Sequence, residues 1–395
     1  MIKRDEKDNI TQTSLSDEVD RLLAQREDFT LEAEAILATT SPSDDDSEVN
    51  ALETSACNKQ DEAVTLIYDA PNVDQPSLVS KKKKGGLKAR VTIGAAIGLT
   101  YLAVALLTIL LGGYVRIIFD VFVIGVSIVA AFEMSGAVGK KYPKPMRVFI
   151  IVGIVLGFTA FYLVHFLFST VFGGQRPFSG GITAFFFTLA LVFLVCILYN
   201  IFSKKSNKNN VLATMLVLLY PVTLSIYMLS IRYLMPEASS NLTSDYGFSN
   251  VGILLMFLIP AFSDTTAFFV GSLIKGKKLA PRISPKKTIS GAVGGVFGGM
   301  AAGGLVLLFS QLEILNIGRL AYSNGLNIAH FLIIGAVGAV FVIIGDLIAS
   351  YIKRQCDIKD FSNLLPGHGG ILDRIDSMLL SSVFIYVYMF ILTFI

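Results

Sequence analysis

Residues 350–376, SYIKRQCDIKDFSNLLPGHGGILDRID, lie between two long apolar runs of the chain. The run before this segment contains a single carboxylate, Asp346, and the run after it continues to Ile395. The segment itself holds charges of both signs, closely spaced glycines and a histidine. Packing gives no reason for so polar a segment between two membrane-spanning candidates. Its groups indicate a site for phosphate and a divalent cation at a bilayer surface.

The composition of the chain is that of an integral membrane protein. Hydrophobic residues make up 53% and charged residues 16% of the sequence, and the mean hydropathy is +0.65. Residues 1–80 contain 19 of the 30 acidic residues, which predicts a disordered acidic tail. A basic juxtamembrane segment follows at 81–90, where lysines and an arginine favour contact with an anionic leaflet.

Nine apolar runs after residue 90 approach the roughly 20 residues that a membrane-spanning helix needs. The sequence therefore predicts an all-α polytopic membrane protein with about nine transmembrane helices in a domain over 91–395, which contains the polar segment together with Asp346, at 346–376. The predicted spans are 91–112, 115–137, 147–172, 181–203, 211–235, 250–274, 289–311, 328–350 and 377–395.

The distribution of lysine and arginine predicts the orientation in the cell membrane. Loops 138–147, 204–210, 275–288 and 351–376 hold 4, 3, 6 and 4 basic residues, whereas the loops between them hold one each. Short cytoplasmic loops carry the excess of basic residues. The N-terminus and the polar segment are therefore expected on the cytoplasmic side, and the C-terminus on the opposite side.

Helical spacing places Asp346, Ser350 and Lys353 on one face of the eighth predicted helix, with Arg354 beside them. A carboxylate, a hydroxyl and two cations would then lie together where this helix leaves the membrane. The simpler interpretation is an interfacial salt bridge between Asp346 and Lys353.

The glycines of the polar segment lead into the predicted start of the ninth helix, where Asp373 and Asp376 share a face. Glycine lets backbone N–H groups approach an anion, and a helix N-terminus attracts phosphate. The alternative is that the two acids only offset the helix dipole. That alternative leaves Arg374, between them, and the glycine loop unexplained.

A second polar cluster combines Asp264, inside the sixth predicted helix, with six basic residues at 275–288. Such a loop could grip a polyphosphate, although the positive-inside tendency alone would also explain its charge. Glu133, near the end of the second predicted helix, could contact a substrate or pair with Lys140 or Lys141. Helically spaced glycines predict close packing of the seventh helix: Gly291, Gly294, Gly295, Gly298, Gly299, Gly303 and Gly304.

At these residues the chain resembles the phosphatidate cytidylyltransferase family, also called CDP-diacylglycerol synthases. The C-terminal signature is carried by Ser350, Lys353, Arg354, Lys359, Asp360, Pro366, Gly367, His368, Gly369, Gly370, Ile371, Asp373, Arg374 and Asp376. The upstream block is carried by Asp264, Thr265, Gly271, Lys277–Pro281 and Ser284–Thr288. One departure is Ser290, where many family members have glutamate.

The resemblance implies that CTP and phosphatidate react to give CDP-diacylglycerol and pyrophosphate, with Mg²⁺ as cofactor and the bilayer as partner, and without nucleic acid. It leaves open whether a monovalent cation binds beside Mg²⁺ and whether the protein forms a homodimer. The expected catalytic residues are Asp346, Asp373, Asp376, Lys353 and Arg354, of which the three aspartates are the expected metal ligands. The expected substrate-binding residues are Ser350, Lys359, Asp360, Gly367, His368, Gly369, Gly370, Arg374, Asp264, Lys286, Lys287 and Thr288.

Two other functions are compatible with parts of the sequence. A lipid-alcohol kinase that uses CTP could share the helical core, but it is not expected to carry the full C-terminal signature. A transporter could also bury carboxylates in membrane helices. Its charged residues should lie near the bilayer midplane, whereas here they gather at one side.

Overall fold

The computed structural model describes residues 87–111, 117–171, 180–203, 207–234, 247–312, 324–365 and 369–393. The predicted acidic tail at 1–80 and most of the basic segment at 81–90 lie outside these ranges, so both domain assignments stay predictions. The described helices are α1 Leu87–Leu111, α2 Ile117–Val138, α3 Arg147–Val171, α4 Gly180–Phe202, α5 Lys208–Val217, α6 Thr223–Ile231, α7 Gly247–Ile274, α8 Ile289–Gln311, α9 Asn324–Gln355 and α10 Leu372–Leu392. A π-helical turn, Leu218–Val222, joins α5 to α6 without a break.

Among the described residues, eight helical segments are long and apolar enough to cross a membrane, and α5, the π-helical turn and α6 together form one of them. Helix α1 corresponds to the first predicted run, and its described apolar part is shorter, Gly98–Leu110. The predicted all-α polytopic membrane fold is therefore confirmed. Helix α9 continues five residues beyond its predicted end at 350, and α10 begins at Leu372 instead of residue 377. Hydropathy locates where apolar residues stop, but these helices continue into polar sequence.

The basic loop between α7 and α8 contains an antiparallel hairpin that the sequence pattern did not predict. Strands β1, Lys278–Ala280, and β2, Ser284–Thr288, pair with each other. The Ile283 N–H donates to the Ala280 carbonyl oxygen at 3.2 Å, which closes a turn with Pro281 at its second position. Proline favours that position because its φ is already fixed near the required value.

Helix α8 packs against both α7 and α9, and its glycines allow the close approach. A Cβ atom on Gly298 would collide with Thr266 of α7, and one on Gly299 would collide with the Gly335 carbonyl of α9. The predicted close packing is confirmed at these positions. This packing places α7, which carries Asp264, beside α9, which carries Asp346.

The basic loops meet at one end of the bundle, as their alternation along the chain predicted. Lys141, before α3, pairs with Asp357, after α9, at 2.7 Å. The loop before α3 also donates a hydrogen bond to α5. The Arg354 Nε donates to the carbonyl oxygen of Ile283 in the hairpin at 3.4 Å. This end of the bundle is called the basic end below. Which membrane face it occupies stays a prediction.

A buried ion pair holds the opposite end of the bundle together. Arg232, after α6, pairs with Asp120 in the first turn of α2, and the Tyr233 hydroxyl donates to the same carboxylate at 2.8 Å. Both charged side chains are largely buried. Removing one partner of a buried pair leaves an uncompensated charge and typically costs about 3–5 kcal/mol.

We expect Arg232→Met to lower the melting temperature of the detergent-purified protein markedly, because Asp120 would lose its cation. The matched control is Arg147→Met, which changes an exposed arginine at the start of α3. That control should leave the melting temperature nearly unchanged. Equal melting temperatures for the two variants would show that the buried pair contributes little to stability.

Candidate active site

Helices α9 and α10 approach each other closely where the predicted signature residues lie. A Cβ atom on Gly345 of α9 would stand 2.9 Å from the Asp376 carbonyl oxygen of α10. A side chain at position 345 would push the two helices apart. Asp346 follows this glycine directly, so the contact brings Asp346 next to the first turns of α10.

Lys353 is the central cation of the site. Its Nζ lies 3.0 Å from Asp373 Oδ1, 3.5 Å from Asp376 Oδ2 and 5.3 Å from the centre of the Phe361 ring. The side chains of Asp373 and Asp376 are only 4% and 9% exposed. Because water is largely excluded, these charges interact with little screening. The simpler pairing of Lys353 with Asp346 is wrong, since Asp346 pairs with Lys287 instead.

Asp373 organises the loop between α9 and α10 in addition to binding Lys353. Its Oδ2 accepts hydrogen bonds from the backbone N–H groups of Phe361 and Gly370, both at 2.9 Å. Gly369 has a φ of +83°, and a Cβ there would stand 2.8 Å from the same oxygen. Glycine is therefore required at position 369 by conformation and by space. Asp373 thus binds one ammonium group and two backbone N–H groups. A carboxylate that only offset the helix dipole would not need these three partners.

Glu133 of α2 caps the N-terminus of α10, a role that neither sequence-based alternative described. Its Oε1 accepts from the Ser362 hydroxyl at 2.7 Å and the Ile371 N–H at 3.0 Å, and its Oε2 accepts from the Leu372 N–H at 2.8 Å. A Cβ atom on Gly370 would collide with this carboxylate. The first N–H groups of a helix have no partner within the helix, so a buried carboxylate there satisfies them and complements the dipole.

We expect Glu133→Gln to lower kcat/KM roughly 20-fold, because the glutamine NH₂ group would face a backbone donor and leave it unsatisfied. The initial rate of the reaction proposed below and the melting temperature would be measured on the same preparation. Glu133→Asp is the companion variant, since it keeps the charge but shortens the reach. Full activity in Glu133→Gln would show that the cap does not position the loop.

A second group of charges joins the β-hairpin to the site. Lys287 of β2 pairs with Asp346, whose other carboxylate oxygen lies 3.4 Å from the Ser350 hydroxyl. Helix α7, which carries Asp264, packs against both α9 and α10. The structure therefore brings the two predicted clusters together.

The remaining predicted site residues differ in how far they are exposed to solvent. Thr288 is buried and caps α8, with its hydroxyl oxygen accepting from the Gly291 N–H at 3.1 Å. Asp360 is partly buried beside Gly369. Gly367 and His368 lie outside the described residues. Four predicted cations are exposed around the site: Lys286, Arg354, Lys359 and Arg374.

Within the described residues, no group of three or more histidines, cysteines or acids forms a ready metal cage. Lysines occupy the carboxylate oxygens instead, at Asp346, Asp373 and Asp376. Mg²⁺ usually takes one or two carboxylates and completes its shell with water and substrate phosphates. This donor set fits such an ion, and Asp346 is the most open of the three aspartates, with 29% of its side chain exposed.

The fold and the site define a polytopic membrane protein in which lysines and carboxylates from α7, α9, α10 and a hairpin meet at one end of the bundle. The chain belongs to the cytidylyltransferase family, whose sequence profile matches residues 89–392. This match covers nearly all the described helices and confirms the resemblance drawn from the signature residues.

Several curated relatives are named phosphatidate cytidylyltransferase. The protein of Rickettsia conorii is 40% identical over 134 residues, covering 34% of this chain and 56% of the relative. The protein of Brucella abortus is 37% identical over 149 residues, covering 38% and 50%. The protein of Bacillus subtilis is 42% identical over 124 residues, covering 31% and 42%. The chain thus matches about half the length of these relatives.

Proposed function

We propose that the protein is a phosphatidate cytidylyltransferase that converts CTP and phosphatidate to CDP-diacylglycerol and pyrophosphate at the cytoplasmic face of the cell membrane. The observation that carries the proposal is the convergence of Lys353, Asp346, Asp373 and Asp376 at the basic end of the bundle. The names of the relatives support the choice of substrates. The excess of basic residues in the loops at this end supports the choice of membrane face.

The reaction joins two polyanions, so the site must first overcome their repulsion. A phosphate oxygen of phosphatidate attacks the α-phosphorus of CTP, a new P–O bond forms, and the bond to the β-phosphate oxygen breaks to release pyrophosphate. The lipid phosphate is already a nucleophile near neutral pH and needs no strong base. Phosphate chemistry of this kind depends mainly on positioning and charge stabilisation.

The cations of the site are proposed to divide this work by position. The exposed residues Lys286, Arg354, Lys359 and Arg374 would bind the triphosphate that arrives from water. Lys353, with its ammonium group buried between two carboxylates, is placed to hold phosphate oxygens close to the reacting bond. Asp264, on a helix that packs against α9 and α10, would complete the nucleotide side.

Mg²⁺ is the proposed cofactor, held by Asp346 together with Asp373 and Asp376. When bound, it would neutralise phosphate charge and orient the leaving pyrophosphate. Lys287 and Lys353 pair with these carboxylates in the structure. Binding of substrate phosphates would offer the two lysines new anionic partners, which would free carboxylate oxygens for the metal ion.

The position of the transferred label separates this function from the kinase alternative. Purified protein in detergent would receive phosphatidate or diacylglycerol, together with CTP carrying ³²P at the α or the γ position. A cytidylyltransferase transfers α-label to phosphatidate and releases γ-label as pyrophosphate, whereas a kinase transfers γ-label to a lipid alcohol. Addition of EDTA should stop the reaction. Transfer of γ-label to lipid, or no transfer by folded protein, would refute the proposal.

A further inference from the structure

Tyr220 lies outside the charged signature, in the membrane-spanning segment that packs against α2 and α10. It is 8% exposed, and its hydroxyl has no hydrogen-bond partner among the residues that the structure describes. Helix α6, which continues from the turn that holds Tyr220, packs against α10, which carries Asp373 and Asp376. A buried hydroxyl normally has a partner, so an unsatisfied one in the segment that packs against α10 indicates a ligand contact.

The backbone around Tyr220 is unusual in a way that supports this interpretation. Tyr220 lies in the π-helical turn and directly precedes Pro221, which has no N–H group to continue the α-helical pattern. The Thr223 hydroxyl donates to the Leu218 carbonyl oxygen at 3.0 Å across the widened turn. Single π-helical turns within α-helices occur frequently at functional sites. The turn also packs against α2, which carries Glu133.

Ring packing fixes the depth of Tyr220 relative to the carboxylates. The rings of Tyr227 and Tyr386 lie 5.5 Å apart, so these residues are level in two helices that both start at the basic end. Counting seven residues back makes Tyr220 level with Leu379, about 4.5 Å deeper than Asp376 at 1.5 Å per residue. Helical side chains lean towards the helix N-terminus, so the Tyr220 side chain leans towards the basic end, where the carboxylates lie.

We propose that the Tyr220 hydroxyl donates a hydrogen bond to the phosphate group of the lipid substrate, from the side of the bundle interior. This inference rests on the proposed function. The nucleotide arrives from water, past the exposed cations and the hairpin, whereas a lipid phosphate must approach with its acyl chains in the bilayer. A neutral donor suits this position, because another lysine here would bind the three carboxylates instead of the lipid.

The test compares Tyr220→Phe with Tyr227→Phe, in which the same change is made seven residues along the same helix. Initial rates would be measured in mixed micelles, with each substrate varied while the other is saturating. Tyr220→Phe should raise KM for phosphatidate roughly tenfold, as expected for a lost hydrogen bond to a charged group, and leave KM for CTP unchanged. Tyr227→Phe should change neither constant. Unchanged constants in Tyr220→Phe, or a higher KM for CTP alone, would overturn the proposal.

Two further measurements separate this inference from the proposed function. Calorimetric titration with short-chain phosphatidate needs no turnover, and its Kd should rise roughly tenfold in Tyr220→Phe only. Binding with this dependence but without CDP-lipid formation would refute the proposed reaction and keep the Tyr220 contact. Wild-type protein irradiated with phosphatidate that carries a diazirine near its glycerol should be labelled within residues 208–231. Labelling confined to other segments would overturn the inference, even if Tyr220→Phe fails to fold.

Discussion

Lys353→Met should lower kcat roughly 1,000-fold, because it removes an ammonium group that contacts both Asp373 and Asp376. Without this cation, two nearly dry carboxylates face the reacting phosphates, and the negative charge that develops in the transition state loses its stabilising partner. Methionine keeps most of the side-chain volume against the Phe361 ring. The initial rate of CDP-lipid formation at saturating substrates would measure the loss.

The matched control for this prediction is Lys141→Met. Lys141 also pairs with an aspartate, Asp357, at 2.7 Å, but both side chains are exposed to solvent. Exposed ion pairs contribute little, typically up to about 1 kcal/mol. This variant should retain normal activity. Lys353→Arg should recover only part of the rate, because a guanidinium group keeps the charge but not the shape of the ammonium group. Similar losses in the two methionine variants would contradict a special role for Lys353.

Asp373→Asn should lower kcat roughly 500-fold, because it removes a charge that serves several partners at once. The asparagine oxygen can still accept from the N–H groups of Phe361 and Gly370, but its NH₂ group then faces the Lys353 ammonium. Two donors cannot pair with each other. The loop should therefore keep its shape while Lys353 loses one of its two carboxylate partners. The melting temperature should fall only slightly.

The dependence on Mg²⁺ decides whether Asp373 also holds the metal. If Asp373 is a ligand, Asp373→Asn should need roughly tenfold more Mg²⁺ for half-maximal activity, in keeping with the loss of a charged ligand. Asp360→Asn is the comparison, since this partly buried aspartate lies in the same loop and was not predicted to bind metal. A lower rate with an unchanged Mg²⁺ requirement would leave Asp373 as a positioning residue only.

The sequence predicted the helices because a membrane-spanning segment must be apolar along its length and must satisfy its own backbone. The helix ends were predicted less well, because α9 and α10 extend into polar residues that other parts of the chain cover. The hairpin at Lys278–Thr288 and the π-helical turn at Pro221 were missed. Both depend on local backbone hydrogen bonds, about which a hydropathy pattern carries no information. The prolines at 221 and 281 were the available signals.

The sequence identified most residues of the site but not their pairings. Helical spacing shows that Asp346 and Lys353 share a face of α9, yet it does not show which neighbouring element faces each of them. The packing of α8 and α10 against α9 decides that Asp346 meets Lys287 and Lys353 meets Asp373. Glu133 shows the same limit, since its partners lie more than two hundred positions further along the chain.

The long separation between Glu133 and its partners has a consequence for biosynthesis. The Glu133 carboxylate accepts from Ile371 and Leu372, which are 238 and 239 residues further along the chain. At about 5–20 residues per second, the ribosome needs roughly 10–50 s to reach them after Glu133 is made. Throughout that interval, Glu133 of α2 lacks the two backbone N–H groups that it accepts from in the folded protein. The loop before α10 can therefore dock on α2 only after α10 has been synthesised.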